Sequence, residues 1–177
     1  RIYEINEQVL DLARADFSYL TDSLARIEPI LGDGRLKLER EPRQNYDLLA
    51  IDAFSGDSIP THLLTLEAMQ AYLRQLKPEG VLAIHITNRY LDMRPVMAGI
   101  AERYGKVAFM YDFYPGKDDQ VCRHSTWVLF YDPPAAAAST VTTAASSASV
   151  GCPLSTRISG TPCPGSSIVS WCGSLTS

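Results

Sequence analysis

The sequence lacks the features that mark several large classes of protein. Its 177 residues contain no apolar run near the ~20 residues that a membrane-spanning helix needs, and they begin without a signal-peptide pattern. The formal net charge is −4, so there is no excess of basic residues to favour nucleic acid as a partner. We therefore predict no membrane span in this chain, no nucleic-acid partner and a cytoplasmic location.

Patterns typical of metal sites and disulfides are also absent from the sequence. None of the four cysteines lies in a Cys-x-x-Cys pair, which argues against a zinc site and against a disulfide framework. His62 and His124 have no partner at the spacing of metal ligands. We predict that the protein uses no metal.

The stretch from Tyr46 to Pro60, YDLLAIDAFSGDSIP, is the most informative part of the chain. Within it, 48–51 is a short apolar run, which is typical of a strand buried on both faces of a parallel sheet. Asp52 ends the run, and Asp57 follows in a loop that contains turn-forming residues. Ligands of open α/β sheets bind at the carboxyl ends of the strands, so we expect the functional site there.

The rest of the chain predicts alternating strands and helices around this stretch. Short links between them favour a mostly parallel sheet with helices on both faces, and the last two strands are expected to pair as an antiparallel hairpin at its edge. The predicted strands cover 1–5, 27–31, 48–51, 81–86, 107–113 and 126–131, and the predicted helices follow Asn6, carry Leu36 and Leu38, and cover 64–76 and 94–103.

The composition changes sharply after Asp132. From Pro133 to Ser177, 36 of 45 residues are Ala, Ser, Thr, Pro, Gly or Cys, and the only charged residue is Arg157. Such a segment has little apolar surface to offset the entropy lost on ordering. We predict an α/β domain over residues 1–132 and a disordered tail over 133–177.

Two acidic positions near predicted strand ends could bind a nucleotide. Glu4 could accept both hydroxyls of a ribose, as acids at this point do in dinucleotide-binding folds, or it could be a solvated strand-end residue. Asp33 could accept from an adenine amino group while Gly34 lets the backbone approach the base. The alternative for Asp33 and Gly34 is that they form an ordinary tight turn.

Asp52 and Asp57 together could form a site for a cationic amine. An amine attacks carbon only when it is neutral, so a base near the nitrogen is required, and either acid could serve. The alternative is that a loop acid caps the helix near Thr61. A lone histidine such as His85 is more often a hydrogen-bonded structural residue than a catalyst.

Four segments of the chain together form a recognisable ordered set: YEIN (3–6), GDGR (32–35), YDLLAIDAFSGDSIP (46–60) and LKPEGVLAIHITNRYLD (76–92). In this order they resemble the spermidine synthase family of polyamine aminopropyltransferases, and most of all the bacterial spermidine synthase-like proteins. The likeness covers about residues 1–132.

The resemblance implies a Rossmann-like fold of the class I methyltransferase type, in which a first strand and a glycine-rich loop precede Arg1. The family transfers an aminopropyl group from decarboxylated S-adenosylmethionine, a co-substrate, to putrescine, and it needs no cofactor. By matching motif, Asp52 would be the base, Asp57 would help to hold the diamine, Glu4 the ribose, and Asp33 with Gly34 the adenine. The family's usual loop is the shorter Asp-Ser-Ser-Asp-Pro, so the acceptor amine stays open.

Other functions remain open from the sequence. The same fold could carry a methyltransferase that uses S-adenosylmethionine itself. A non-catalytic domain that senses polyamines or nucleotides beside a membrane transporter is a further alternative, since some relatives carry a membrane region upstream. A homodimer is compatible with the resemblance and is also left open.

Overall fold

The computed structural model describes residues 1–55, 59–114 and 123–133, and the backbone alone of 168–169 and 172–175. Four α-helices lie within these residues, together with a 3-10 helix at Thr61–Leu64. The α-helices are α1 (Glu7–Ala15), α2 (Gly34–Arg40), α3 (Leu66–Gln75) and α4 (Arg94–Tyr104). The strands are β1 (Ile2–Glu4), β2 (Pro29–Leu31), β3 (Tyr46–Ser55), β4 (Leu76–His85), β5 (Val107–Phe113), β6 (Ser125–Tyr131), β7 (Ile168–Val169) and β8 (Cys172–Leu175).

The strands form a mixed sheet whose centre is parallel. Its order is β5-β6-β4-β3-β7, and β8 also pairs with β3. β3 pairs in parallel with β4, whereas β6 runs antiparallel to both β4 and β5. The predicted edge hairpin is therefore confirmed, and β1 and β2 form a separate parallel pair.

The core lies around β3 and β4, as their apolar runs predict. Leu49 and Ile51 stand opposite Leu82 and Ile84 in the parallel register, and all four are buried. Burying one such side chain contributes roughly 1.5–3 kcal/mol. Helix α3 covers part of this core with residues that are also buried, among them Met69 and Tyr72.

The helix ends follow the capping residues in the sequence. Asn6 caps α1 as predicted, because its side chain accepts from the Gln8 amide at 3.0 Å. The helix ends at Ala15, and Phe17, two residues beyond it, is 57% exposed. Gly105 ends α4 with φ of 61°, a left-handed conformation that glycine adopts without strain.

The boundary between α3 and β4 differs from the prediction. Thr65 caps α3 through the Ala68 amide, so the helix begins at Leu66 and the preceding turn is a 3-10 helix. The helix ends at Gln75, and the chain is extended from Leu76 onward. Pro78 explains this, because a proline disfavours helical geometry in the residue before it and cannot donate to a helix.

The segment predicted to be a disordered tail contains two short strands. β7 and β8 pair in parallel with β3, so these six residues are extended and paired. The disorder of the tail as a whole stays a prediction. Both strands belong to the same compact unit as residues 1–132. The open edge of β3 offers backbone donors and acceptors that any extended segment can meet, which composition does not reveal. The remainder of the tail after Pro133 lies outside the described residues.

Candidate active site

Asp52 and His85 lie side by side on the two central strands. The register pairs Ile51 with Ile84, so the next residue on each strand is a neighbour of the other. Asp52 Oδ1 lies 2.6 Å from His85 Nδ1. The apolar run predicted that Asp52 lies just after the strand. β3 continues to Ser55, however, so Asp52 lies inside it. The longer strand fixes the backbone on both sides of this carboxylate.

The second ring nitrogen of His85 is also hydrogen-bonded. Nε2 lies 2.7 Å from Thr87 Oγ1, and this oxygen accepts from the Thr126 backbone amide at 2.8 Å. The Ile86 amide donates to the Thr126 carbonyl at 2.8 Å. These contacts tie the end of β4 to the start of β6 and connect the imidazole to the sheet.

Two aromatic rings hold the imidazole in place. Trp127, opposite His85 on β6, stacks on it with centroids 4.7 Å apart and planes 5° from parallel. Phe54 meets it edge-on at 4.6 Å and 70°. Trp127 lies in the edge hairpin, and its stacking on His85 also makes it part of this site.

An open cleft of about 490 Å³ adjoins this group. Asp52 itself is accessible, with 32% of its side chain exposed, whereas His85 is 17% exposed. The described residues place no hydrogen-bond donor on Asp52 Oδ2. The carboxylate can therefore accept a proton or a cation on that oxygen. The cleft is lined by Phe54, His85, Thr87, Asn88, Arg89, Arg123 and His124.

A repeated pattern in the sequence would have indicated the Asp52–His85 pair. Leu49-Ala50-Ile51-Asp52 and Leu82-Ala83-Ile84-His85 repeat three apolar residues before a polar one, and the structure aligns the two segments in register. The interpretation of His85 as a lone structural histidine is incomplete, since the ring contacts the acid predicted to be the base.

Glu4 is buried, with 2% of the residue exposed, and is therefore not a solvated strand-end residue. Its Oε1 accepts from the Asn6 backbone amide at 2.8 Å, next to the amino end of α1. No second donor to this carboxylate occurs among the described side chains and backbone amides. A buried carboxylate with free acceptor capacity can bind hydroxyl groups.

Asp33 caps a helix, and the turn around it needs a glycine. Gly32 has φ of 133°, a conformation strained for other residues. Asp33 Oδ1 accepts from the Leu36 amide at 2.9 Å, and Oδ2 lies 3.5 Å from His62 Nε2. Gly34 is buried as the first residue of α2. The turn interpretation describes this pair, while their role toward adenine stays a prediction.

Asp57 lies outside the described residues. Within the described part of the chain, no group of three or more His, Cys, Asp or Glu residues is arranged to hold a metal. That the protein uses no metal or cofactor stays a prediction.

The sequence is similar to one group of transferases. No protein-family model matches the chain. A polyamine aminopropyltransferase of Vibrio vulnificus (strain CMCP6) is 34% identical over 83 residues, which are 46% of this chain and 27% of that protein. Over this stretch the chain resembles the spermidine synthases. The match spans much less than the whole length of the relative.

Solved structures agree on the fold. Spermidine synthase from Thermotoga maritima has a TM-score of 0.55 and 20% identity, covering 75% of this chain and 45% of its own. Spermidine synthase in complex with the transition state analogue AdoDATO has a TM-score of 0.57 and 19% identity, and the match covers 75% of this chain and 46% of that protein. Human Methyltransferase-like protein 13 in complex with SAH has a TM-score of 0.56 and 19% identity, and the match covers 75% of this chain and 60% of that protein. The predicted Rossmann-like fold of the class I methyltransferase type is confirmed.

Within the described residues, no helix combines the length and apolar character that crossing a bilayer requires.

Proposed function

We propose that this spermidine synthase-like chain transfers an aminopropyl group from decarboxylated S-adenosylmethionine to an amine such as putrescine. The observation that carries the proposal is Asp52, an accessible carboxylate on a central strand with Oδ1 held by His85. The similarity to a polyamine aminopropyltransferase supports the same class of reaction.

The reaction needs one base and good alignment. The amine nitrogen attacks the methylene carbon next to the donor's sulfonium, the new C–N bond forms, and the C–S bond breaks. Sulfur leaves as the neutral thioether of methylthioadenosine, so the leaving group needs no acid. The proton lost by the attacking nitrogen goes to Asp52 Oδ2. Putrescine's amines resemble that of lysine, with a pKa of ~10, so they reach the site largely protonated.

The donor would be bound through the residues that follow β1 and β2. In this proposal Glu4 accepts the ribose hydroxyls, and the turn at Asp33 and Gly34 lies against the adenine. Glu4 is suited to this role because its buried carboxylate receives one hydrogen bond from the described residues and has capacity for more. A homodimer remains a prediction.

A methyltransferase is the second candidate, because Methyltransferase-like protein 13 has a TM-score equal to those of the spermidine synthases within 0.01. The fold alone does not separate the two reactions. The sequence match favours aminopropyl transfer. The donor discriminates them directly, since a methyltransferase uses S-adenosylmethionine and releases S-adenosylhomocysteine.

The test is to incubate the chain with putrescine and either donor and to quantify the products by mass spectrometry. We expect methylthioadenosine and spermidine with the decarboxylated donor. Asp52→Asn keeps the shape of the side chain and removes the base, so kcat should fall about 10²-fold or more. A chain that forms no methylthioadenosine, or an Asp52→Asn variant within a few-fold of wild type, would contradict the proposal.

Asp132→Asn is a matched control for the loss of one carboxylate. Asp132 follows β6, which runs antiparallel to β4, so it lies at the opposite end of the sheet from Asp52. It pairs with Lys106 at 2.6 Å. The kcat of the Asp132→Asn variant should stay within about twofold of wild type, because the lost carboxylate lies far from Asp52. The fold should persist, since an exposed ion pair of this kind contributes at most ~1 kcal/mol to stability.

A further inference from the structure

The hydrogen bonds around His85 define which nitrogen carries the proton. Asp52 is acceptor-only when ionised, so at 2.6 Å the His85 Nδ1 must donate. Thr87 Oγ1 already accepts from the Thr126 amide, and its own hydroxyl proton can point to Nε2 at 2.7 Å. All three groups are satisfied when the imidazole is neutral and protonated on Nδ1.

The ring has little freedom to leave this arrangement. Trp127 covers one face in a near-parallel stack, and Phe54 contacts the ring at a steep angle. Thr87 binds the other ring nitrogen, Nε2, and is itself bound by the Thr126 amide at the start of β6. A donor held from three directions can fix the orientation of the carboxylate that it binds.

We propose that His85 is a positioning residue for Asp52: as a neutral Nδ1–H donor it binds Oδ1 and leaves Oδ2 to receive the amine's proton. This role rests on the proposed function. A neutral donor fixes the carboxylate without adding a positive charge beside it, so Asp52 keeps its attraction for an ammonium group. A lysine or arginine in this position would cancel that attraction.

The hydrogen bond itself can be tested without activity. The chain has three histidines, so ¹⁵N–¹H spectra of the imidazole rings can be assigned with His62→Gln and His124→Gln variants. From these contacts we expect the His85 ring to carry its proton on Nδ1 and none on Nε2, with the Nδ1 proton shifted downfield. Asp52→Asn should move this proton upfield. An Nε2–H tautomer, or a resonance unchanged by Asp52→Asn, would overturn the proposal.

Kinetics then separate positioning from general packing. His85→Phe keeps a ring between Trp127 and Phe54 and removes both hydrogen bonds, so we expect kcat to fall about 10- to 100-fold as Asp52 loses its alignment. The KM for the amine should change less, because Asp52 keeps its charge. His85→Asn can still donate to Oδ1 and should recover about 2- to 10-fold of the lost kcat, the value of one hydrogen bond.

Tyr104→Phe is the control, since it removes a side-chain hydrogen bond, the one to the Leu66 carbonyl, while keeping the ring. Its kcat should stay within about twofold of wild type, the effect expected when the lost bond lies outside the site. A kcat of His85→Phe equal to that of wild type would overturn the proposal. An equal loss of kcat in His85→Phe and His85→Asn would also overturn it. If wild type forms no methylthioadenosine, the proposed function fails, and the spectra still decide whether His85 orients Asp52.

Discussion

At the scale of single residues, Glu4 is the least ordinary feature of the chain. Removing a carboxylate from water costs several kcal/mol unless hydrogen bonds or opposite charge compensate. The described residues supply one backbone donor, from Asn6, at the positive end of α1. Partial compensation of this kind is common at binding sites, where a ligand supplies the missing partners.

We predict that Glu4→Gln weakens the binding of methylthioadenosine by about 10-fold or more, the value of a hydrogen bond to a charged group. The melting temperature should not fall, because the variant removes a buried charge while the amide oxygen can still accept from Asn6. Calorimetric titration and thermal unfolding measure the two effects. Glu7→Gln, which removes an exposed acid from the first turn of α1, is the control and should leave the affinity unchanged. Equal affinity of Glu4→Gln and wild type would show that the ribose is bound elsewhere.

The sequence predicts these residues unevenly, and the reason is physical. Asp52 could be identified because an acid that ends a buried apolar run lies toward the carboxyl end of its strand, although β3 continues beyond it to Ser55. Its contact with His85 depends on the register between two strands, which only the similarity of 49–52 and 82–85 indicates. The burial of Glu4 depends on contacts between distant segments, which a local pattern cannot represent.

At the scale of elements, the beginning of β4 shows how the register is set. Tyr46 pairs with Leu76 and Leu48 with Val81, so β4 has extra residues opposite one residue of β3. The extra segment folds back so closely that Gly80 is buried against the Tyr46 backbone. The next three pairs, from Leu49–Leu82 to Ile51–Ile84, then place Asp52 beside His85.

We therefore predict that Gly80→Ala lowers the free energy of unfolding by about 1–3 kcal/mol, the usual cost of overpacking. A Cβ at this position would lie 2.7 Å from the Tyr46 carbonyl oxygen and 3.0 Å from Leu76 Cβ. Gly99→Ala in α4 is the control: it is exposed with nothing within 4 Å, and it should raise stability by about 0.5–1 kcal/mol. Urea unfolding of both variants measures the difference. A neutral Gly80→Ala would mean that the chain can shift there, and that the register does not depend on this contact.

At the scale of the whole molecule, the edge of β3 is where composition and structure differ. The tail composition predicts disorder, and six of its residues are nevertheless paired with β3. β8 also contacts β1, so it connects the β1–β2 pair with the larger sheet, and the sequence predicted these strands as one sheet. Backbone pairing uses groups that every residue carries, and for this reason side-chain composition could not predict it.

The last prediction concerns how much this pairing contributes to stability. Ordering a residue costs about 1–2 kcal/mol of backbone entropy, and a net hydrogen bond returns about 0.5–1.5 kcal/mol. For strands as short as β7 and β8, with two and four residues, the entropy cost and the hydrogen-bond gain are therefore similar in size. A chain that ends at Asp132 should therefore unfold cooperatively, with a melting temperature within about 5 °C of the full chain, the shift expected for ~1 kcal/mol. A chain that ends at Arg123 is the control: it lacks β6, which lies between β4 and β5, and it should not fold. If the chain ending at Asp132 also fails to unfold cooperatively, β7 and β8 are required parts of the domain, and the boundary predicted from composition is wrong.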